Sequence, residues 1–553
     1  MPRLVRAAVL LLLAAPVALR AQAVAQSAPD PTASRLFSAA DALDINTYAI
    51  ADLTEDGRWV ALTQSVRRDG FGTDYRRDGD PTYVRVTPIR LWAVDARSGQ
   101  RTAVFPDKRP VRGMRWSPDG SKLAFLSWNG DAFEPTIWTR ATGKLATLRM
   151  PAGRYVAEAS DIRWTSGGTR VVVAVHTTEW RRKATATFTN ITSGPVIVQN
   201  SKDPFLAWEE LRRMGSVRSI GALDVKTGAY EELVPEAMIG TYTLATDGSA
   251  VSYAVDQMKK TEYEAVGNDS RLFTRAPGAA ARTLLPSTRG VTVVWDEEGK
   301  RYAYSRDGRV YLASLSDSAP KLLAGPAEQP RGAAPSAPDT TAAGRARARS
   351  ERFSVSRFSP RGDALLVANG EGQWILDLAT NAKELAIATN DSSPTQPRVT
   401  FAAWSDDGSK VYFNTASRTK WERGIVRYDR TTKKIAELIR DGRSYSGLRL
   451  SNDGSVAFLT VTEGNRTGDI FIGNGDLSDL RPFVRANPQL ASKTFGPTEL
   501  LAFLDADGHR KHAVVHYPAN YQKGQAYPTV FIIYEDFFDD TWDLQANVLA
   551  ANG

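Results

Sequence analysis

The sequence predicts an all-β propeller of seven or eight blades, joined at its C-terminal end to a segment of mixed α/β character. Three observations predict it. A five-residue motif recurs about eight times between residues 51 and 460, several copies are followed by a second strand and a second turn, and after Gly475 the repeat stops and a new pattern begins.

The motif is an apolar or aromatic residue, a Ser or Thr, one variable residue, and Asp-Gly or a near equivalent. Its copies open at Leu53, Trp116, Trp164, Leu244, Trp295, Phe358, Trp404 and Leu450, and close at Gly57, Gly120, Gly168, Gly248, Gly299, Gly362, Gly408 and Gly454. An Asp-Gly tip reverses the chain sharply because glycine takes the positive φ that other residues resist, so each copy reads as a hairpin between half-buried strands. Second strands follow at 90–95 before Ser98-Gly99, at 219–224 before Thr227-Gly228 and at 425–429 before Thr431-Thr432. Two hairpins make one four-stranded blade. A β-solenoid or a pair of sandwiches requires no aromatic before Ser-x-Asp-Gly at each repeat. The copies at Leu244 and Trp295 depart from the pattern, which leaves seven blades against eight open.

The expected order is a leader at 1–25, a lead-in with a short helix at 26–48, the propeller at 49–485 and an incomplete further domain at 486–553. Three inserts interrupt the ring. Residues 67–85 are charged and rich in Gly and Asp, and 325–349 are rich in Ala, Pro, Arg and Ser without apolar periodicity, which predicts a disordered loop. In 177–218, Asp203-Pro204 reads as the start of a helix, with Phe205, Leu206, Trp208, Leu211 and Met214 on one face.

Arg3 and Arg6, an apolar stretch from Ala7 to Leu19 and small residues at 21–25 form a signal-peptide pattern, too short to span a bilayer. The expected location is the periplasm or the cell exterior, with no membrane contact after cleavage. No cysteine is present, which excludes disulfides, thiolate nucleophiles and Cys-ligated zinc. The net charge of +8 is spread over 70 basic and 62 acidic residues without a basic run, so nucleic acid is not an expected partner. No cofactor or metal is expected, and the oligomeric state is open.

Beyond the propeller, 498–504 and 511–521 form a hairpin about Asp505-Ala506-Asp507-Gly508. The apolar run 527–534 then reads as a strand buried on both faces of a parallel sheet. An acidic loop, Glu535, Asp536, Asp539 and Asp540, and a helix from Thr541 follow. This order, with Tyr517-Pro518-Ala519-Asn520-Tyr521 and then Tyr527-Pro528, resembles the start of the α/β-hydrolase domain in the prolyl oligopeptidase family of serine peptidases, which includes dipeptidyl peptidase IV-like enzymes. The resemblance covers nearly the whole mature chain. It departs at Tyr534-Glu535-Asp536, where many relatives carry a His-Gly-Gly-Pro-like loop. The resemblance implies a Ser-Asp-His triad with its serine in a Gly-x-Ser-x-Gly elbow. No such pentapeptide occurs, so no catalytic residue is assigned, the triad is expected downstream of Gly553, and the chain by itself is expected to be inactive.

Two further groups of residues bear on function. Glu209 and Glu210 match in type the propeller-borne glutamate pair that dipeptidyl peptidases use to hold a substrate's free amino group, and are candidate substrate-binding residues; with Arg212 and Arg213 they equally fit a solvated helix face. His512 and His516 share a strand face about 13 Å apart, too far for one metal, and with His509 and His176 read as packing or surface residues. The function expected is the propeller part of an exported serine peptidase, gating access of short peptides, with cleavage after proline as one option. The alternative is a non-enzymatic periplasmic propeller that binds a peptide or protein partner.

Overall fold

The computed structural model describes residues 36–200, 202–261, 268–317, 319–327, 340–390, 393, 395–463 and 467–531. The leader, the acidic loop 535–540 and the C-terminal helix expected from Thr541 lie outside them.

Eight four-stranded antiparallel units follow one another along the chain, at 46–103, 111–147, 154–238, 239–285, 292–324, 354–388, 398–441 and 444–484. The protein is an eight-bladed β-propeller. Blades 3 and 4 share one continuous strand, Tyr230–Leu244, whose first half is the outer strand of blade 3 and whose second half is the inner strand of blade 4. The copies at Leu244 and Trp295 therefore each open a complete blade. Every blade is built from consecutive strands, so the ring closes by packing: Val60, Leu62 and Val94 of blade 1 form one core with Phe458, Ile470 and Val484 of blade 8.

The motif's chemistry repeats in the turns. All eight closing glycines have φ between +62° and +76°, and each donates its N–H to the carbonyl three residues back. Where the motif is complete, the Ser or Thr hydroxyl donates to the Asp carboxylate and accepts the N–H that opens the second strand, as in Ser117 to Asp119 at 2.5 Å and Lys122 to Ser117 at 3.0 Å. Two of the altered copies make substitute bonds. Asp296 takes the place of the hydroxyl, accepting from Lys300 and Arg301, and in blade 6, where Arg361 replaces the aspartate, Ser359 turns to Asp363 at 2.6 Å.

Second strands are the most buried, for example Lys122–Trp128 and Ala364–Asn369, while outer strands such as Arg101–Ala103 and Lys144–Thr147 are exposed throughout. First strands of neighbouring blades touch one another, so they line the axis. In such a meander the first-to-second turns all lie on one face. The second-to-third loops and the links between blades lie on the other, here called the insert face.

The insert face carries helix α1 (Ala39–Leu43), α2 (Thr178–Thr192), α3 (Ala207–Met214) and α4 (Ala342–Glu351). Two expectations are corrected there. The 177–218 insert holds two helices, and α3 begins after Leu206, which makes no side-chain cap, so Asp203-Pro204 is not its start. The predicted disordered stretch 325–349 runs into a helix at 342–351: Ala and Arg are strong helix formers, and the Thr341 hydroxyl accepts the Gly344 N–H. Residues 328–339 lie outside the described part.

After blade 8 the chain crosses the lead-in, where Phe37, Ala42, Ile45 and Leu490 form a small core, and enters a two-stranded hairpin, Thr498–Leu504 with Arg510–His516. The expected buried strand at 527–534 is not formed in its described part, through Phe531, where Val530 and Phe531 are 87% and 83% exposed. A lone apolar run has no second sheet face to bury against. No α/β-hydrolase domain is present among the described residues, and no helix there is long and apolar enough to cross a membrane.

Candidate functional site

Both expected substrate-binding glutamates are on α3, at its first turn, but they serve different surroundings. Glu209 accepts a hydrogen bond from Thr261 of the blade 4 loop and lies 3.7 Å from Arg212, whereas Glu210 is exposed. Trp208, just before them, presses on the 67–85 insert: a Cβ on Gly79 would come within 2.4 Å of its ring. The pair thus sits where two inserts lock together over blade 2.

Beneath that lock the insert face is tightly filled. His176 is 3% exposed and stacks on Trp180 with centroids 3.6 Å apart, its Nδ1 2.9 Å from the Val217 carbonyl oxygen. Burial pushes the imidazole down to about 4, so it is neutral at physiological pH. Arg112 lies over Phe133 at 4.0 Å and faces Glu158; burial lowers the guanidinium's pKa and raises the carboxyl's. Arg181 stacks on Tyr155 and donates to Asp131 at 3.0 Å. The space left among these groups is about 20 Å³, room for little more than one water molecule.

The opposite mouth of the channel is open. There a cavity of about 430 Å³, within the range of small-ligand pockets, is walled by the inner strands and turns of blades 1, 5, 6, 7 and 8. Its charged residues are Asp52, Glu55, Glu297, Arg357 and Arg449. Asp52 accepts the Trp116 N–H at 2.7 Å, and burial raises its pKa against the pull of Arg115 and Arg449. Arg449 donates to the Ala51 carbonyl at 3.4 Å. The Arg357 guanidinium lies 3.6 Å from the centre of Phe401 and, among the described residues, has no hydrogen-bond or carboxylate partner. Glu297 is pushed up by burial and then by the neighbouring charges of Asp406, Glu55 and Asp296.

Sequence reasoning missed this cavity, although a signal existed. The residue just before each motif copy is charged in five of eight, as Asp52, Arg115, Arg163, Arg357 and Arg449, on strands that are otherwise largely apolar. Arg163 is spent inside the wall, on Asp161 at 2.8 Å and on the Tyr242 carbonyl at 3.0 Å.

His509, His512 and His516 fall in or beside the hairpin. His516 pairs with Thr498 and His512 with Ala502. His509 lies 3.4 Å from Asp505, and with Asp507 these form a small group of possible ligand atoms in an exposed turn.

No protein-family model matches this chain, and no curated protein does. Among solved structures it is similar to an acylaminoacyl peptidase in complex with Z-Gly-Gly-Phe-chloromethyl ketone, at 10% identity and TM-score 0.47 over 88% of this chain and 60% of that one. A structure from an analysis of two prolyl endopeptidases matches at 10% identity and TM-score 0.45, over 86% of this chain and 55% of that one. The β-propeller domain of the Trilobed protease from Pyrococcus furiosus matches at 11% and 0.42, over 82% and 99%. This chain spans 55–60% of the length of the first two. Likenesses of this size do not bear on chemistry; the propeller is read from its own sheets.

Proposed function

We propose that this chain is the propeller part of an exported serine peptidase of the prolyl oligopeptidase type, acting on short peptides whose access the propeller restricts. The observation that carries the reading is the hairpin at 498–516. It leaves the ring on the insert face and displays Leu501, Phe503 and Leu504 at 45%, 45% and 69% exposure. The Tyr517-Pro518-Ala519-Asn520-Tyr521 and Tyr527-Pro528 segments that follow carry the resemblance to a hydrolase domain. Apolar strands with open edges are what the first strands of a larger sheet look like when taken alone.

A fluorophosphonate probe, which labels activated serines covalently, tests the reading. The 553-residue chain is expected to stay unlabelled. The protein read from its natural gene is expected to be labelled at the serine of a Gly-x-Ser-x-Gly segment, and to be found in the exported fraction. A gene that encodes no such segment overturns the peptidase reading and leaves a binding propeller.

A further inference from the structure

We infer that the open channel mouth is a binding site for short zwitterionic peptides, with the peptide carboxylate held by Arg357 and Arg449 and the ammonium by Glu55 and Glu297. The inference deepens the peptidase reading, on which it rests only for the choice of a peptide as ligand.

The argument begins with how the propeller stacks its charges. Arg357 and Arg449 occupy the position before the motif aromatic, one layer inside the channel. Glu55 and Glu297 occupy the variable position of the turn, three residues further along the chain and just past the strand ends, at the rim of the same cavity. Three residues of strand advance about 10 Å at most. The floor of the cavity therefore holds two arginines beside Asp52, which is engaged by the Trp116 N–H, its rim carries two carboxylates, and the two layers lie within reach of an extended tripeptide, about 10 Å from end to end.

The individual groups are available for that role. Arg357 is exposed to the channel and lies against the Phe401 ring, and among the described residues its five N–H donors have no protein acceptor. A carboxylate is the ligand group that a planar guanidinium fork engages with two parallel hydrogen bonds. Among the described residues the Glu297 side chain has no cation beside it. Its closest charged company, Glu55, Asp406 and Asp296, is acidic, and an ammonium placed there relieves that repulsion. A purely anionic ligand would meet the rim carboxylates, and a purely cationic one would meet the arginines. A molecule with opposite charges at its two ends satisfies both layers.

Calorimetric titration of the 553-residue chain with trialanine, N-acetyl-trialanine and trialanine amide tests this. Trialanine is expected to bind, and capping either end is expected to weaken binding at least about tenfold. Arg357→Met, which keeps a stem against Phe401, is expected to abolish the penalty for the amide and keep that for the acetylated peptide. Glu297→Gln is expected to do the reverse, and Arg357→Lys to restore part of the carboxylate preference. Equal binding of the three peptides, no binding of trialanine at about 10 mM by a chain that melts normally, or variants that leave the preferences unchanged each overturn the proposal. The two readings fail separately: a gene without the serine elbow removes the peptidase and leaves the site, while a labelled serine with no trialanine binding does the opposite.

Discussion

The ring and the hairpin that follows it are made of the same kind of strand, yet only the ring has finished surfaces. Nearly every outer strand of a blade opens on a basic residue: Arg101, Lys144, Arg282, Lys321, Lys383, Lys434 and Arg481. Several of those strands are only three or four residues long. Short, charged edges discourage pairing with another chain. The strand Thr498–Leu504 instead shows Leu501, Phe503 and Leu504 to solvent. The difference teaches that the positive charge of this chain is in part an edge-protection device of the propeller, and that the strand Thr498–Leu504 lacks it.

The largest expected contrast is in opening. Under native conditions a dilute protease should cut beyond about residue 490 at least a hundredfold faster than within the ring, because among the described residues no hydrophobic core joins the hairpin to the blades. Gel electrophoresis over time with mass spectrometry of the core reads this. Equal rates would break the comparison.

Next come side-chain truncations. Phe458 is fully buried where blade 8 meets blade 1, and Phe458→Ala should destabilise the ring by about 3–5 kcal/mol in denaturant unfolding. Phe503→Ala should leave that midpoint unchanged and raise solubility. His176 supplies a pH-dependent version of the same contrast. It is held neutral with a pKa of about 4 against 6.5 for the free side chain, so its contribution is complete above pH 6.5 and is lost as pH falls from 6.5 through 4, by about 3 kcal/mol. His176→Gln should flatten that slope.

The smallest effects come from turn glycines. Gly57 has φ +67°, and a Cβ there would lie 2.5 Å from the Ser451 Cβ of the last blade. Gly57→Ala should therefore cost more than the ~1 kcal/mol of its backbone conformation alone. Gly508, at φ +79° in the hairpin turn, has nothing within 4 Å, so Gly508→Ala should show only the backbone cost, and only in the hairpin. Thermal unfolding of the two variants measures the gap.

The blade pattern was legible because its information is local. Ser117, Asp119 and Gly120 fold their own turn through bonds that span two to five residues, and Asp296 and Ser359 make equivalent bonds where the motif is altered. Helix α2 was not legible: its apolar residues Trp180, Ala184 and Phe188 are few, and it is held by His176 and by the Trp180 bond to the Met214 carbonyl at 2.8 Å. The strand expected at 527–534 is not formed through Phe531 for the converse reason, since apolar content alone does not supply a partner sheet.

From the order of residues alone came the repeat, the positions of its turns, the inserts and the place where the propeller ends, because each rests on hydrogen bonds between near neighbours. Ring closure decided the rest. Eight complete blades and the meeting of Arg357, Arg449, Glu55 and Glu297 around one cavity depend on residues up to several hundred positions apart, which become neighbours only when the last blade packs against the first, and the interlock of Trp208 with Gly79 depends on inserts of two different blades.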